Sequence, residues 1–259
     1  YQVMVGAETI GRFQTQLDYL DFMRVRASVS LIEPLDGGFR VTVADGKQYD
    51  TQTLIIATGA VGKRLNVPGE DEFEMKGLCY SAMTYAPLMV DRRVVVVGDE
   101  LLALRAVAEL SRIATQVTLV AEGDGDLDTA AGQYVLSHDN VTVKRRARVL
   151  EITGDEYARG VVIQHNGQRE EIAIDAVFIE KQLIPNSRLV EGLVERDACG
   201  FIRVDSRNRT SMPGIFAAGD VTDAMAFQVL MGLGDGEKAA LSAFDYILGL
   251  GSAPFGCEE

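Results

Sequence analysis

Apolar and polar residues along this chain follow two periods that succeed one another in a regular order. Around Val29 to Ile56 the run SVSLIEPLDGGFRVTVADGKQYDTQTLIIATGA sets short β-branched stretches between DGG and ADGK. Alternation at period two, broken by Asp-Gly turns, predicts a three-stranded antiparallel meander followed by a buried strand, LIIATG. Upstream, Thr9 to Phe22 carries apolar residues at helical intervals and predicts a helix. After Arg93 the period changes: VVVVG reads as a buried strand, ELLALRAVAELSRI as a helix and QVTLVAE as a second buried strand. That order predicts a parallel pair with a right-handed crossover, the start of a nucleotide-binding type of sheet.

A second meander is expected over VTVKRRARVLEITGDE, ARGVVIQHNGQREEIAI and DAVFIEK, and a closing helix over GDGEKAALSAFDYILGL after the strand in PGIFAAGD. The outline therefore occurs twice, as a meander inserted into a β/α sheet. Residues 89–186 are expected to form a complete inserted domain. Residues 1–88 and 187–259 are expected to form a discontinuous outer domain that lacks its own first β-α-β unit, about 30 residues. The chain opens on Tyr1 without a methionine, and an upstream portion is expected to supply that unit.

Composition narrows the function classes. A net charge of −13 opposes phosphate backbones and argues against nucleic acid as a partner. The longest apolar runs fall far short of the ~20 residues of a membrane-spanning helix. Three cysteines, Cys79, Cys199 and Cys257, are widely spaced and only two histidines are present, so neither a zinc site nor a disulfide framework is expected. No metal site is expected, and a reducing, cytoplasmic setting fits best.

The motifs ATGA (57–60), NVPGED (66–71), KGLCYSAM (76–83), VVVVG (94–98), IPNSRLVEG (184–192), VERDACGFIRVD (194–205), PGIFAAGD (213–220) and GDGEKAALSAFDYI (234–247) occur in that order over nearly the whole chain. Together they resemble the thioredoxin reductase family, the class II pyridine nucleotide-disulfide oxidoreductases, and most of all the flavin-containing subunit of alkyl hydroperoxide reductase. The resemblance implies an α/β fold of two three-layer domains of the FAD/NAD(P)-binding type, the first incomplete at its N-terminus. It also implies electron flow from nicotinamide to flavin to a C-x-x-C disulfide to a protein partner, in a homodimer.

Each station of that flow can be read against these residues. On the flavin side the resemblance places Thr58, Gly59, Gly219, Asp220 and Gln228 near FAD, with the N-terminus of the following helix, Gly234 to Lys238, toward the flavin ring. On the nicotinamide side Gly98 keeps the first fingerprint glycine, but Glu100 replaces the second, whose missing side chain would let backbone meet pyrophosphate. Asp99 and Glu100 would face a dianion, and like charges about 4 Å apart cost about 1 kcal/mol even in water. Glu122 could accept a ribose hydroxyl, so NADH would be preferred to NADPH if either bound. The run Glu180 to Asn186 also lacks the glycine that the family carries shortly before its Pro-Asn pair.

At the disulfide station the family's cysteines fall at Ser81 and Thr84, and the acid that follows them at Tyr85. Hydroxyls cannot undergo thiol-disulfide exchange, so no catalytic residue is assigned there. Cys79 has Ala82 at i+3 and no partner; Cys257 has two acids beside it that would raise its pKa. KRRAR (144–148) is expected to be a solvated strand face, and GDGDLD (123–128) an acidic turn, since it lacks the order of a calcium loop. Two readings stay open. One is an FAD-dependent oxidoreductase with altered electron partners, including a variant whose inserted domain holds a second flavin against Leu101 and Leu102. The other is a non-catalytic structural or interaction subunit.

Overall fold

The computed structural model describes residues 6–250. It opens with α1 (Gly6–Asp18), whose Ile10, Phe13 and Leu17 remain exposed. The helix starts before Thr9 and stops short of the expected Phe22, because a helix that buries no face gains little by continuing. Three antiparallel strands follow, β1 (Val29–Leu35), β2 (Gly38–Val43) and β3 (Gln48–Thr51). Gly37 and Gly46 turn them at φ +83° and +85°, a backbone region that glycine enters without strain. Next come β4 (Leu54–Ile56), β5 (Ala60–Gly62), β6 (Leu78–Cys79) and the one-turn helix α2 (Ala82–Tyr85).

The β-α-β unit then forms as expected from β7 (Arg93–Val97), α3 (Leu101–Leu110) and β8 (Gln116–Ala121). It continues through α4 (Ala130–Leu136) into β9 (Val141–Arg145). Here the expectation needs correction. Alternation over VTVKR places β9 in the second meander, but the strand pairs in parallel with β8, Val117 to Val141 through Ala121 to Arg145. The chain leaves that sheet at Arg146, in left-handed conformation at φ 55°, before the true meander of β10 (Arg148–Gly154), β11 (Ala158–His165) and β12 (Gln168–Ala173). A sequence pattern shows alternation but not which sheet an alternating strand joins.

DAVFIEK, also expected in the second meander, is instead β13 (Ala176–Ile179) of the five-stranded sheet, whose order is β6-β13-β7-β8-β9, all parallel. Alternation along β7 divides its two faces. Val94 and Val96 pack with Leu104, Val107 and Leu110 of α3, while Val95 and Val97 pack with Val149, Val161 and Ile163 of the meander. The edge strand β6 and the buried Phe73 draw packing of this unit back across residue 89.

The outer unit is thinner. After β14 (Leu183–Pro185), β15 (Ile215–Ala217) pairs in parallel with β4 alone, between β1–β3 on one face and α5 (Val229–Ile247) on the other. α5 begins at Val229 rather than Gly234: packing of Ala239 and Ala243 against Phe216 and Ala218 carries the helix through three glycines that propensity alone would resist. Ile55 on β4 and Leu230, Leu241 and Phe244 on α5 stay exposed. A two-stranded antiparallel ribbon, β5 with β14, joins the units. Among the described residues no helix is long and apolar enough to cross a membrane.

Candidate functional site

The end of β15 carries the residues expected on the flavin side. Gly219 turns the chain at φ +72°, a backbone region that glycine enters without strain, and lies against Gly232 in the first turns of α5. Asp220 follows at the turn, half-buried, and its carboxyl takes no hydrogen bond or ion pair among the described residues. Burial alone pushes its pKa up from the usual carboxylate range. Gln228 occupies the N-cap of α5 without a side-chain cap, leaving the first amides unsatisfied by side chains. Gly234 and Gly236 face open space where a Cβ would stand. Across the units, Gln228 Nε2 lies 4.0 Å from Met83 Sδ on α2. Thr58 and Gly59 instead tie the outer unit to the ribbon: Thr58 Oγ1 donates to the Asn186 carbonyl (2.7 Å), and Asn186 N donates to the Gly59 carbonyl (2.9 Å).

At the second station Ser81 Oγ and Thr84 Oγ1 lie 3.0 Å apart, hydrogen-bonded to each other at the positions of the family's disulfide. Tyr85, at the acid position, donates its hydroxyl to Met75 Sδ. Beneath this turn sits a group that sequence reasoning passed over. Glu180 is buried, and its Oε1 accepts the Ala82 N–H at 2.5 Å, capping α2 from another strand. Burial pushes its pKa up to about 7. A carboxylate directly after the apolar strand AVFI, at the carboxyl edge of a parallel sheet, was the available signal. Cys79 is half-buried and desolvation raises its thiol to about 11, which leaves it inert. Cys199 is exposed and accepts a bond from Gln182 Nε2.

The third station lies at the carboxyl ends of β7, β8 and β13. Gly98 is indispensable to packing: a Cβ there would come within 2.4 Å of the Glu180 carbonyl and 2.8 Å of Ala103 Cβ. Asp99 Oδ2 accepts the Gly123 N–H (2.7 Å), and the acidic turn 123–126 closes around it. Glu122, the expected ribose acceptor, is already engaged by Lys181 at 3.0 Å. The cleft that remains has a volume of about 100 Å³ and is lined by Asp99, Glu100, Glu122 and Glu180 with Lys63 and Lys181. Small-molecule sites usually offer about 300–1,000 Å³, so these residues do not fit a dinucleotide.

Other flagged groups settle into the surface. Lys144 pairs with Glu170, and Arg145 with Asp124 and Asp128, so the basic run and the acidic turn satisfy one another. Cys257 lies outside the described residues. A larger cavity, about 770 Å³, opens at Gly214 and Tyr246, the opposite ends of β15 and α5 from Asp220 and Gln228.

A model of the family described as pyridine nucleotide-disulphide oxidoreductase matches residues 18–239. The chain belongs to that family. Among its relatives, an NADH dehydrogenase of Bacillus subtilis is 37% identical over 81% of this chain and 42% of its own length. A subunit of the alkyl hydroperoxide reductase of Staphylococcus epidermidis is 34% identical over 84% of this chain and 43% of its own. The chain thus spans less than half the length of these curated relatives. The solved thioredoxin reductase of Streptococcus pyogenes superposes with a TM-score of 0.88 at 29% identity, covering 96% of this chain and 82% of that one. The chain therefore has the thioredoxin reductase fold that its motifs resemble.

Proposed function

We propose that this chain is part of an FAD-dependent oxidoreductase that exchanges electrons at its flavin with partners other than a nicotinamide nucleotide or an internal dithiol. The observation that carries this reading is the flavin-side group, where an unpartnered half-buried carboxyl, an uncapped helix start and two glycines facing open space stand together. These features fit a polar cofactor: Asp220 and the amides of α5 would hold FAD, with Gly219 making the turn that places Asp220 before the helix. When bound, FAD supplies a ring that takes up and releases one or two electrons. The Ser81–Thr84 pair cannot relay those electrons onward, because oxygen forms no disulfide. The names of the relatives bring the oxidoreductase class to this chain; the narrow cleft beside Glu122 and Lys181 supports an electron partner other than the nicotinamide nucleotide in one of those names.

As further parts of the same proposal, a homodimer and a protein redox partner follow from the family resemblance, a reducing, cytoplasmic setting from the three widely spaced cysteines, and a second flavin against Leu101 and Leu102 is the variant in which the altered inserted domain holds a different ligand. A non-catalytic scaffold is the competing reading, favoured by the exposed apolar faces of β4 and α5.

Absorption spectra of the natural full-length protein, titrated anaerobically with NADH and then dithionite, test the proposal. A flavin band near about 450 nm, bleached by dithionite and untouched by NADH, is the expected result. Bleaching by NADH overturns the altered-partner reading, and absence of a flavin band after incubation with excess FAD leaves the scaffold.

A further inference from the structure

We propose that Lys181 is the specificity-determining residue of the dinucleotide cleft, an internal plug whose ammonium takes the acceptor that a nucleotide ribose would need. The inference rests on the nucleotide-independent reading above and names the residue that enforces it. Glu100 is the obvious obstacle in the sequence, yet it is the N-cap of α3, where its side chain makes no cap bond. Lys181 is different. It follows β13, reaches across the end of β7 and pairs with Glu122 after β8, with its side chain only 17% exposed against 45% for the glutamate. An ion pair so placed fills the crevice at the carboxyl ends of the strands, where ligands of open α/β sheets bind.

The neighbouring residue strengthens the closure. Gln182 donates from Nε2 to Cys199 Sγ in the outer unit at 2.9 Å, and its carbonyl accepts the Lys63 N–H. Residues 181 and 182 thus tie β14 to the ends of both units. Two barriers act on a nucleotide independently: repulsion of its pyrophosphate at Glu100, and occupation of its ribose acceptor by Lys181.

The experiment is NADH binding by isothermal titration calorimetry to the full chain as wild type, Glu100→Gly and Glu100→Gly/Lys181→Ala. Glycine is well tolerated at an N-cap, so the first substitution lifts repulsion without unfolding α3. Wild type and Glu100→Gly are expected to show no binding up to about 1 mM, and the double variant an affinity at least about tenfold tighter than Glu100→Gly, a difference of about 1.4 kcal/mol. Equal affinities of the two variants, including no binding by either, overturn the role of Lys181 alone. Binding by wild type overturns the nucleotide-independent reading instead. A measurement free of variants accompanies it: acetylation of wild type followed by mass spectrometry. Lys181 is expected to react at least about tenfold more slowly than the exposed Lys63 at the cleft mouth, and equal rates overturn the plug.

Discussion

At the end of β15 the chain turns through Gly219 and Asp220 toward the glycine-bearing start of α5; at the end of β7 it turns through Gly98, Asp99 and Glu100 into α3. Both are strand-to-helix junctions of the nucleotide-binding kind. At the first, the carboxyl of Asp220 is without a partner among the described residues and Gly234 and Gly236 face open space. At the second, Asp99 bonds to Gly123, Glu122 to Lys181 and Glu180 to Ala82. A half-buried carboxyl with no partner among the described residues leaves the first junction suited to a ligand that pairs with it. The second junction has satisfied Asp99, Glu122 and Glu180 from within the chain and leaves Glu100 in solvent. The same contrast separates the glycines: Gly98 is held by packing, Gly234 by nothing among the described residues.

The largest expected effect tests that last point. Gly98→Ala places a methyl against the Glu180 carbonyl and imposes a side chain at φ +153°, so it should cost about 3 kcal/mol of stability, read from urea unfolding. A loss under about 1 kcal/mol would show that the β7–α3 junction is not self-packed.

Next is Glu180→Gln, which keeps the acceptor for Ala82 and removes the charge. The folded carboxyl titrates at about 7 against an ordinary 4.5, so the proton is held more tightly in the folded state. Its stabilisation is fully present below about pH 4.5 and is lost as pH rises through about 7. At about 1.4 kcal/mol per unit, wild type should lose up to about 3 kcal/mol relative to the variant between pH 4.5 and pH 8. Unfolding free energies of the two proteins that stay parallel over that range would rule this out.

Much of the fold was legible because burial writes its period into sequence: the first meander, β7, α3 and β8 fall where alternation and helical spacing place them. The two-residue strand β6 carries no period at all, and β9 shows alternation without naming its partner. The flavin-side positions were legible only as motif matches, of which Gly219, Asp220 and Gln228 come together while Thr58 and Gly59 join the ribbon. The closure of the other cleft was half legible. Glu100 breaks a local fingerprint, whereas Glu122 and Lys181 are far apart in sequence and meet only because β7 lies between their strands.

Asp220→Ala is expected to have a smaller effect, and on ligand affinity rather than on the fold. Removing a partly desolvated carboxyl breaks no bond among the described residues, so stability without cofactor should hold or rise slightly. FAD affinity of the full-length protein should fall about tenfold, or about 1.4 kcal/mol, by fluorescence titration. Unchanged affinity would remove Asp220 from the flavin site.

The smallest expected effect separates a glycine kept for packing from one kept for a ligand. Gly234 lies inside α5, and among the described residues nothing outside the helix backbone lies within 4 Å of the Cβ that Gly234→Ala adds. In a helix interior that exchange is worth about 1 kcal/mol in favour of alanine. The cofactor-free chain should therefore gain about that much in thermal or urea unfolding, while FAD binding by the full-length protein weakens, because the methyl enters the space left beside the helix backbone. A destabilised apo-protein would mean that another part of the protein packs there. A stabilised protein with undiminished FAD affinity would mean that the open face of α5 is turned away from the flavin, and the contrast between the two junctions would then rest on Asp220 alone.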